Sequence, residues 1–283
     1  MPTGLTLLLL AVLALAVLFD YINGFHDTAN AIATSVSTRA LRPEHAILMS
    51  ATANFVGALT GTAVAKTISS GLADTPTGSA GQTIVAAALI GAIVWNLITW
   101  RFGIPSSSSH ALIGGLLGAV IASVGASAIK VQGVIDRVIV PLVLSPVAGI
   151  VIGFLLMVVI FNVFQHANPR RMNDRFRRLQ VVSAAFMAFS HGSNDAQKTM
   201  GIMTLALIAA GILPADSAIP LWVIVLAATA ISLGTAAGGC GSSGRWVRRS
   251  SSSIRSTASR PRRPRRRSSS RLRTSACPSR PPT

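Results

Sequence analysis

Runs of apolar residues long enough to cross a membrane recur along the first 239 positions, and polar residues gather in a few dense islands between and inside them. About 20 helical residues cross a ~30 Å hydrocarbon core. By that measure, spans fall near residues 4–22, 45–66, 82–100, 138–164 and 219–238. Shorter or interrupted apolar segments lie near 27–38, 106–125, 180–190 and 197–213. Gly57, Gly61, Gly91, Gly114, Gly115 and Gly118 recur inside these segments, as expected where membrane helices approach closely. The pattern predicts an all-α, polytopic membrane protein. The first span also has the length of a secretory signal, but no Lys or Arg precedes it and the first basic residue is Arg39, which favours a retained helix.

Three polar islands interrupt the apolar pattern. The first, Asp20-Tyr-Ile-Asn-Gly-Phe-His-Asp-Thr-Ala-Asn30, runs directly out of an apolar stretch. An ionised Asp at mid-bilayer costs roughly 2.5–3.5 kcal/mol even on the lenient insertion scale, so Asp20 and Asp27 together are costly in a merely structural helix. Asn23-Gly24 predicts a helix break, whose freed carbonyls beside a carboxylate would form a hard-cation site. The bland alternative is an interfacial loop. The second island, Phe189-Ser-His-Gly-Ser-Asn-Asp-Ala-Gln-Lys-Thr-Met200, repeats the first in kind. Aligning Asp27 with Asp195 sets Gly24 opposite Gly192, and paired islands of this sort point to a transporter site built from inverted repeats. His26 and His191 are candidates for a proton relay, or else hydrogen-bonding neighbours.

The third island, Gly103-Ile-Pro-Ser-Ser-Ser-Ser-His110, precedes an apolar stretch. Four hydroxyls at the first turn of a helix, with its free N–H groups and positive dipole end, suit an oxyanion. Ordinary N-capping is the simpler alternative, but capping needs one Ser rather than four.

Composition sharpens this picture. Of the 283 residues 51% are hydrophobic and only 12% charged, which excludes an ordinary soluble enzyme domain. Cys240 and Cys277 are the only cysteines, which excludes a disulfide scaffold. No nucleophile–base pair or metal-ligand spacing suggests an enzyme, and no cofactor is expected. The net charge of +17 is unevenly placed: residues 1–239 hold 12 Lys and Arg and all 8 acids, whereas residues 240–283 hold 13 Arg and no acid. Arg170, Arg171, Arg175, Arg177 and Arg178 mark 165–180 as a cytoplasmic loop by the positive-inside rule.

These motifs together resemble the inorganic phosphate transporters of the Pit type. The family's repeated signature, G-x-[NH]-D-x-x-N-A and relatives, is matched by Gly24-Phe-His-Asp-Thr-Ala-Asn-Ala31 and by Gly192-Ser-Asn-Asp-Ala-Gln-Lys198, and its Ser-rich hairpin by residues 103–110. The second copy shows Gln197-Lys198 where the first has Ala29-Asn30. The resemblance implies secondary transport of phosphate, free or as a neutral metal–phosphate complex, coupled to protons or sodium. It implies coupling-ion sites at Asp27 and Asp195, with Asn23 and Asn194 beside them. Asn30, Gln197, Ser106, Ser107, Ser108 and Ser109 would line the phosphate site. The implied partners are phosphate and membrane lipid, with a homodimer as the candidate assembly, in the plasma membrane of a bacterium.

Four segments follow: a first repeat over 1–164, the Arg-rich loop over 165–180, the start of a second repeat over 181–239, and a tail over 240–283. The tail holds 13 Arg, 13 Ser and 5 Pro. At face value it is a disordered basic segment for acidic lipid or nucleic acid. It also fits a GC-rich gene read out of frame. With one nucleotide restored near codon 240, residues 276–283 permit Gly-[Met/Leu/Val]-Pro-Val-Ser-Thr-Thr-His. That string is a second copy of the Ser-rich motif, 88 residues after Asp195 where the first ends 83 after Asp27. On this reading nucleic acid is not a partner and the chain, lacking its second hairpin, does not transport. The rival functions are transport of another oxyanion such as sulfate, and a membrane-anchored protein that binds through its tail.

Overall fold

The computed structural model describes residues 6–104, 106–214 and 217–242. These form helices α1 (Leu7–Ser37), α2 (Pro43–Ala58), α3 (Ala63–Ser70), α4 (Ser79–Phe102), α5 (Ser108–Ser123), a short α6 (Val131–Val134), α7 (Val140–Phe164), α8 (Pro169–Ala209) and α9 (Leu221–Ser242). Among the described residues there is no strand, and one isolated bridge pairs Ala73 with Ile129. The chain is an all-helical, multi-pass membrane protein: α1, α4, α9 and the stretch Val131–Phe164 are each long and apolar enough to cross, and α2 with α3 makes a further pair bent by 66°. The tail from residue 243 onward lies outside the described residues.

The structure corrects three expectations. First, α1 runs unbroken through Asn23-Gly24, and α8 runs unbroken through Gly192. A glycine inside a helix costs about 1 kcal/mol. An unpaired backbone group in lipid costs several, so continuity wins. Second, the Arg-rich stretch 165–180 is not a loop: only its first residues connect, and from Pro169 onward it forms the opening turns of α8. At 1.5 Å per residue that 41-residue helix is about 60 Å long, so its charged end extends beyond an apolar layer. Third, the broken membrane element is α2/α3, where 45–66 had been expected to cross as one span. The break falls at Leu59-Thr60-Gly61-Thr62, and the Thr60 hydroxyl folds back to donate to the Gly57 carbonyl at 2.6 Å.

α4 ends as its sequence suggests. Gly103 takes a left-handed conformation (φ +66°), and the N–H of Ile104 donates to the Thr99 carbonyl at 2.9 Å. Before α7 the chain widens into a π-turn over Ile135–Ile139. Pro141 follows at once, and its ring would clash with the carbonyl of Arg137 four residues earlier; the wider turn relieves this. Among the described residues none of the Val131–Phe164 span is buried.

The glycines of the islands serve close packing. A Cβ on Gly24 would meet the backbone of Ile231 and Thr235 in α9, and one on Gly234 would meet that of Tyr21 and Phe25. A Cβ on Gly192 would meet the backbone of Asn54 in α2, and one on Gly57 would meet that of Phe189 and Ser193. The two crossings match in register. Moving 168 residues along the chain takes Tyr21, Gly24 and Phe25 to Phe189, Gly192 and Ser193, and moving back 177 takes Ile231 and Gly234 to Asn54 and Gly57.

Candidate functional site

Asp20, Asn23 and Asp27 follow one another at helical spacing along one face of α1, and His191, Asp195, Lys198 and Thr199 do the same on α8. The two faces meet. Asn23 Nδ2 donates to Asp195 Oδ2 at 3.2 Å, the Lys198 ammonium ion-pairs with Asp195 Oδ1, and His191 Nδ1 lies 3.4 Å from Asp195 Oδ2. On α1, His26 Nδ1 lies 3.1 Å from Asp27 Oδ1. Asp20, Asn23, Asp195 and Lys198 are buried, whereas Asp27 and His26 keep partial access. One ligand atom each from Asp27, His191 and Asp195 lies within 4.8 Å of the other two. Two carboxylate oxygens and an imidazole nitrogen form a donor set that suits a small divalent cation.

The remaining expected residues have other placements. Gln197 is buried at the α2/α3 break: its Oε1 accepts the Val64 N–H at 2.9 Å, and its Nε2 donates to the Ser193 carbonyl at 2.6 Å. It thereby satisfies an N–H in the first turn of α3 that no helical carbonyl can reach. Asn194 is exposed and donates to the Ser190 carbonyl at 2.8 Å, so it is not drawn into the carboxylate cluster. The side chain of Asn30 lies outside the described residues. In the third island, Ser106 Oγ accepts from Trp95 Nε1 at 2.8 Å, and Ser107 caps α5 by accepting the His110 N–H at 3.4 Å. Ser108 and Ser109 form the first turn of α5, both half-buried. The bonds of this turn run to α4 and α5, and a T-shaped contact of Trp100 with Phe25 (5.8 Å) sets the end of α4 beside the first island.

Two features were missed by sequence reasoning. Lys198 was noted only as a departure from the repeated motif, yet it supplies the direct counter-charge to Asp195. A lysine three residues from an aspartate, in a polar island between apolar runs, is itself a signal, because an intramembrane charge needs a partner. The second is a polar tie. The Thr235 hydroxyl donates to the Ile231 carbonyl at 2.9 Å and accepts from Asn54 Nδ2 at 2.7 Å, while its carbonyl accepts from the Thr28 hydroxyl at 3.0 Å. Nothing in the local pattern pairs residues from three distant segments.

Known proteins resemble this chain both in sequence and in fold. Residues 23–241 match the profile described as the phosphate transporter family. The chain is 51% identical over 235 residues to a Bacillus subtilis protein named "Probable low-affinity inorganic phosphate transporter", covering 83% of this chain and 70% of that one. It is 36% identical over 239 residues to the Escherichia coli "Low-affinity inorganic phosphate transporter PitB", spanning 47% of its length. Its fold is like that of a solved structure described as "The sodium-dependent phosphate transporter", with a TM-score of 0.74 at 23% identity over 83% of this chain and 76% of that one.

Proposed function

The chain belongs to the phosphate transporter family, and from that premise we propose that it serves low-affinity, cation-coupled transport of inorganic phosphate across a membrane. The observation that carries this reading is the meeting of Asp27, His191 and Asp195 where α1, a helix long and apolar enough to cross a membrane, faces α8. Carboxylates in such a place are costly unless they bind something. In this proposal a cation held by the triad supplies the positive charge on which phosphate rests, and the hydroxyls of Ser106, Ser107, Ser108 and Ser109 with the first-turn N–H groups of α5 donate to its oxygens. The relatives are transporters by name, and the chain is not an enzyme.

The matched crossings α1/α9 and α8/α2 support two repeats of one design, an architecture that serves alternating access. The mixed oxygen–nitrogen donor set of the triad favours a second reading as well, in which phosphate enters as a neutral metal–phosphate complex. The test is uptake of labelled phosphate in a host stripped of its own uptake systems, with the gene expressed as it stands and with one base restored near codon 240. Asp27→Asn and Asp195→Asn should each abolish uptake at unchanged expression. Uptake no higher than the host background in both forms of the gene would overturn the assignment. A requirement for divalent metal would separate the complex from the free anion.

A further inference from the structure

We propose that α8 carries, beside α2, a specific site for one anionic phospholipid, with the headgroup phosphate on Arg177 and Arg178 and an acyl chain along the α2/α8 groove. The inference does not depend on what the chain transports. Two hollows lie end to end along α8. The first, of about 250 Å³, is lined by Ala40, which follows α1, and by Asp174, Arg177, Arg178 and Val181. The second, of about 680 Å³, is lined chiefly by Leu48, Met49 and Val56 of α2 and by Val182, Phe186 and Phe189 of α8. Arg178, Val182, Ala185 and Phe189 succeed one another at steps of three and four residues, so the basic and apolar hollows share one helix face. From Arg178 to Phe189 that face runs about 16 Å, close to the depth of one leaflet, half of a ~30 Å hydrocarbon core. The groove ends where α2 and α8 approach backbone to backbone: a Cβ on Gly57 would meet Phe189, and one on Gly192 would meet Asn54.

Each end of this face suits one part of such a lipid. Val182 and Phe186 are 65% and 70% exposed, so the groove is open along its side, and the Phe186 and Phe189 rings stack 6.4 Å apart to give it a flat apolar wall. The headgroup end is braced before any ligand arrives. Arg177 Nη2 donates to the Arg39 carbonyl at 2.5 Å, and the Thr38 hydroxyl donates to Gln180 Oε1 at 2.8 Å, which together hold α8 against the end of α1. Arg177 spends one of its five N–H donors there and has the others for phosphate oxygens. Charge selects the headgroup. Arg177 and Arg178 outweigh Asp174 in the lining, and Arg170, Arg171 and Arg175 add to the same stretch of sequence. The lining therefore holds one net positive charge, which the single phosphodiester of phosphatidylglycerol balances, while its glycerol hydroxyls can donate to Asp174. An ethanolamine or choline headgroup brings its own cation and leaves the lining uncompensated. Phe189 also opens the second island, so a chain seated here packs against the element that carries Asp195.

The experiment is native mass spectrometry of the purified, delipidated 283-residue chain, titrated with phosphatidylglycerol and with phosphatidylethanolamine and phosphatidylcholine of the same acyl chains. Wild type should take up one phosphatidylglycerol about tenfold more tightly than either zwitterionic lipid. Arg178→Gln should remove most of that preference, and Phe186→Ala should weaken all three lipids while keeping their order. Phosphatidylglycerol should also raise the melting temperature of wild type in detergent, and raise that of Arg178→Gln less. The bound lipid should survive an excess of inorganic phosphate. Its displacement by phosphate would make the basic hollow a site for the free anion and overturn the proposal. Equal binding of the three lipids, or an unchanged preference in Arg178→Gln, would overturn it as well. A lipid-free dimer that Phe186→Ala dissociates would give the groove to a second copy of the chain instead.

Discussion

Replacing Lys198 by Met removes a buried charge while keeping an unbranched apolar stem of similar length. Lys198 is 8% and Asp195 9% exposed, so the pair sits where water screens little. Taking one partner from a buried ion pair costs about 3–5 kcal/mol, because the other charge is left behind. Asn23 Nδ2 and His191 Nδ1 remain beside Asp195 at 3.2 and 3.4 Å, but both are present in the wild type and offset nothing new. For a chain of this size the loss corresponds to a fall in melting temperature of roughly 10 °C. The double variant Lys198→Met/Asp195→Asn removes both charges and should recover much of the loss, giving a coupling energy of about 2 kcal/mol or more in a double-mutant cycle. Thermal unfolding of the four proteins in one detergent, followed by intrinsic tryptophan fluorescence, measures it. A single variant as stable as wild type would show that the ammonium does not hold Asp195. A double variant no better than the single would show that its role is packing.

Other outcomes follow from the same structure. Gly192→Ala should drive its new methyl into the Asn54 backbone, which has no flexible end to give way; overpacking of this kind costs about 1–3 kcal/mol, measurable as a lower melting temperature, whereas Gly91→Ala, in the interior of α4 with open space around it, should raise it slightly, by up to about 1 kcal/mol of helix propensity. Replacing Ser106, Ser107, Ser108 and Ser109 together by Ala should weaken phosphate affinity in a binding assay far more than it lowers membrane insertion; unchanged affinity would leave the turn as a helix cap. The nucleotide sequence across codons 236–284 should reveal a reading frame one base away that stays open past position 283 and encodes a Ser-Thr-Thr-His string at 280–283. Stop codons in that frame would exclude the shift.

Hydropathy located the membrane helices because lipid rewards apolar residues one by one, without regard to partners. It misjudged where they start and stop. Asn23-Gly24 looks like a break on propensity, but in lipid the backbone has no alternative partner, and α1 continues. Arg170 and Arg171 mark the polar side of the membrane without distinguishing a loop from the end of a long helix, and Pro169 then begins α8. The offset of 168 between the islands was visible because it lies in residue identity. What α9 contributes was not: Gly234 and Thr235 stand in an apolar run without local chemistry, and their meaning depends on Tyr21, Thr28 and Asn54, which lie far away in sequence. Gln197 was legible as a polar side chain in a membrane, but its engagement with Val64 depends on a helix break that the span pattern smoothed over.

The tie through Thr235 has a mechanical consequence. Its hydroxyl and carbonyl bind α2 and α1 at once, and separating any of these helices from α9 would leave polar groups facing hydrocarbon at several kcal/mol apiece. α1, α2 and α9 must therefore travel together as a rigid body. The α2/α3 corner is held to α8 instead: Gln197 bonds Val64, Thr60 reaches Ser193 at 3.4 Å, and Gly201 lets the backbone of Ala65 in α3 approach closely. Residues 59–62 thus join the three-helix block to the second island on α8, so any change in how α8 sits against that block is felt first at this corner.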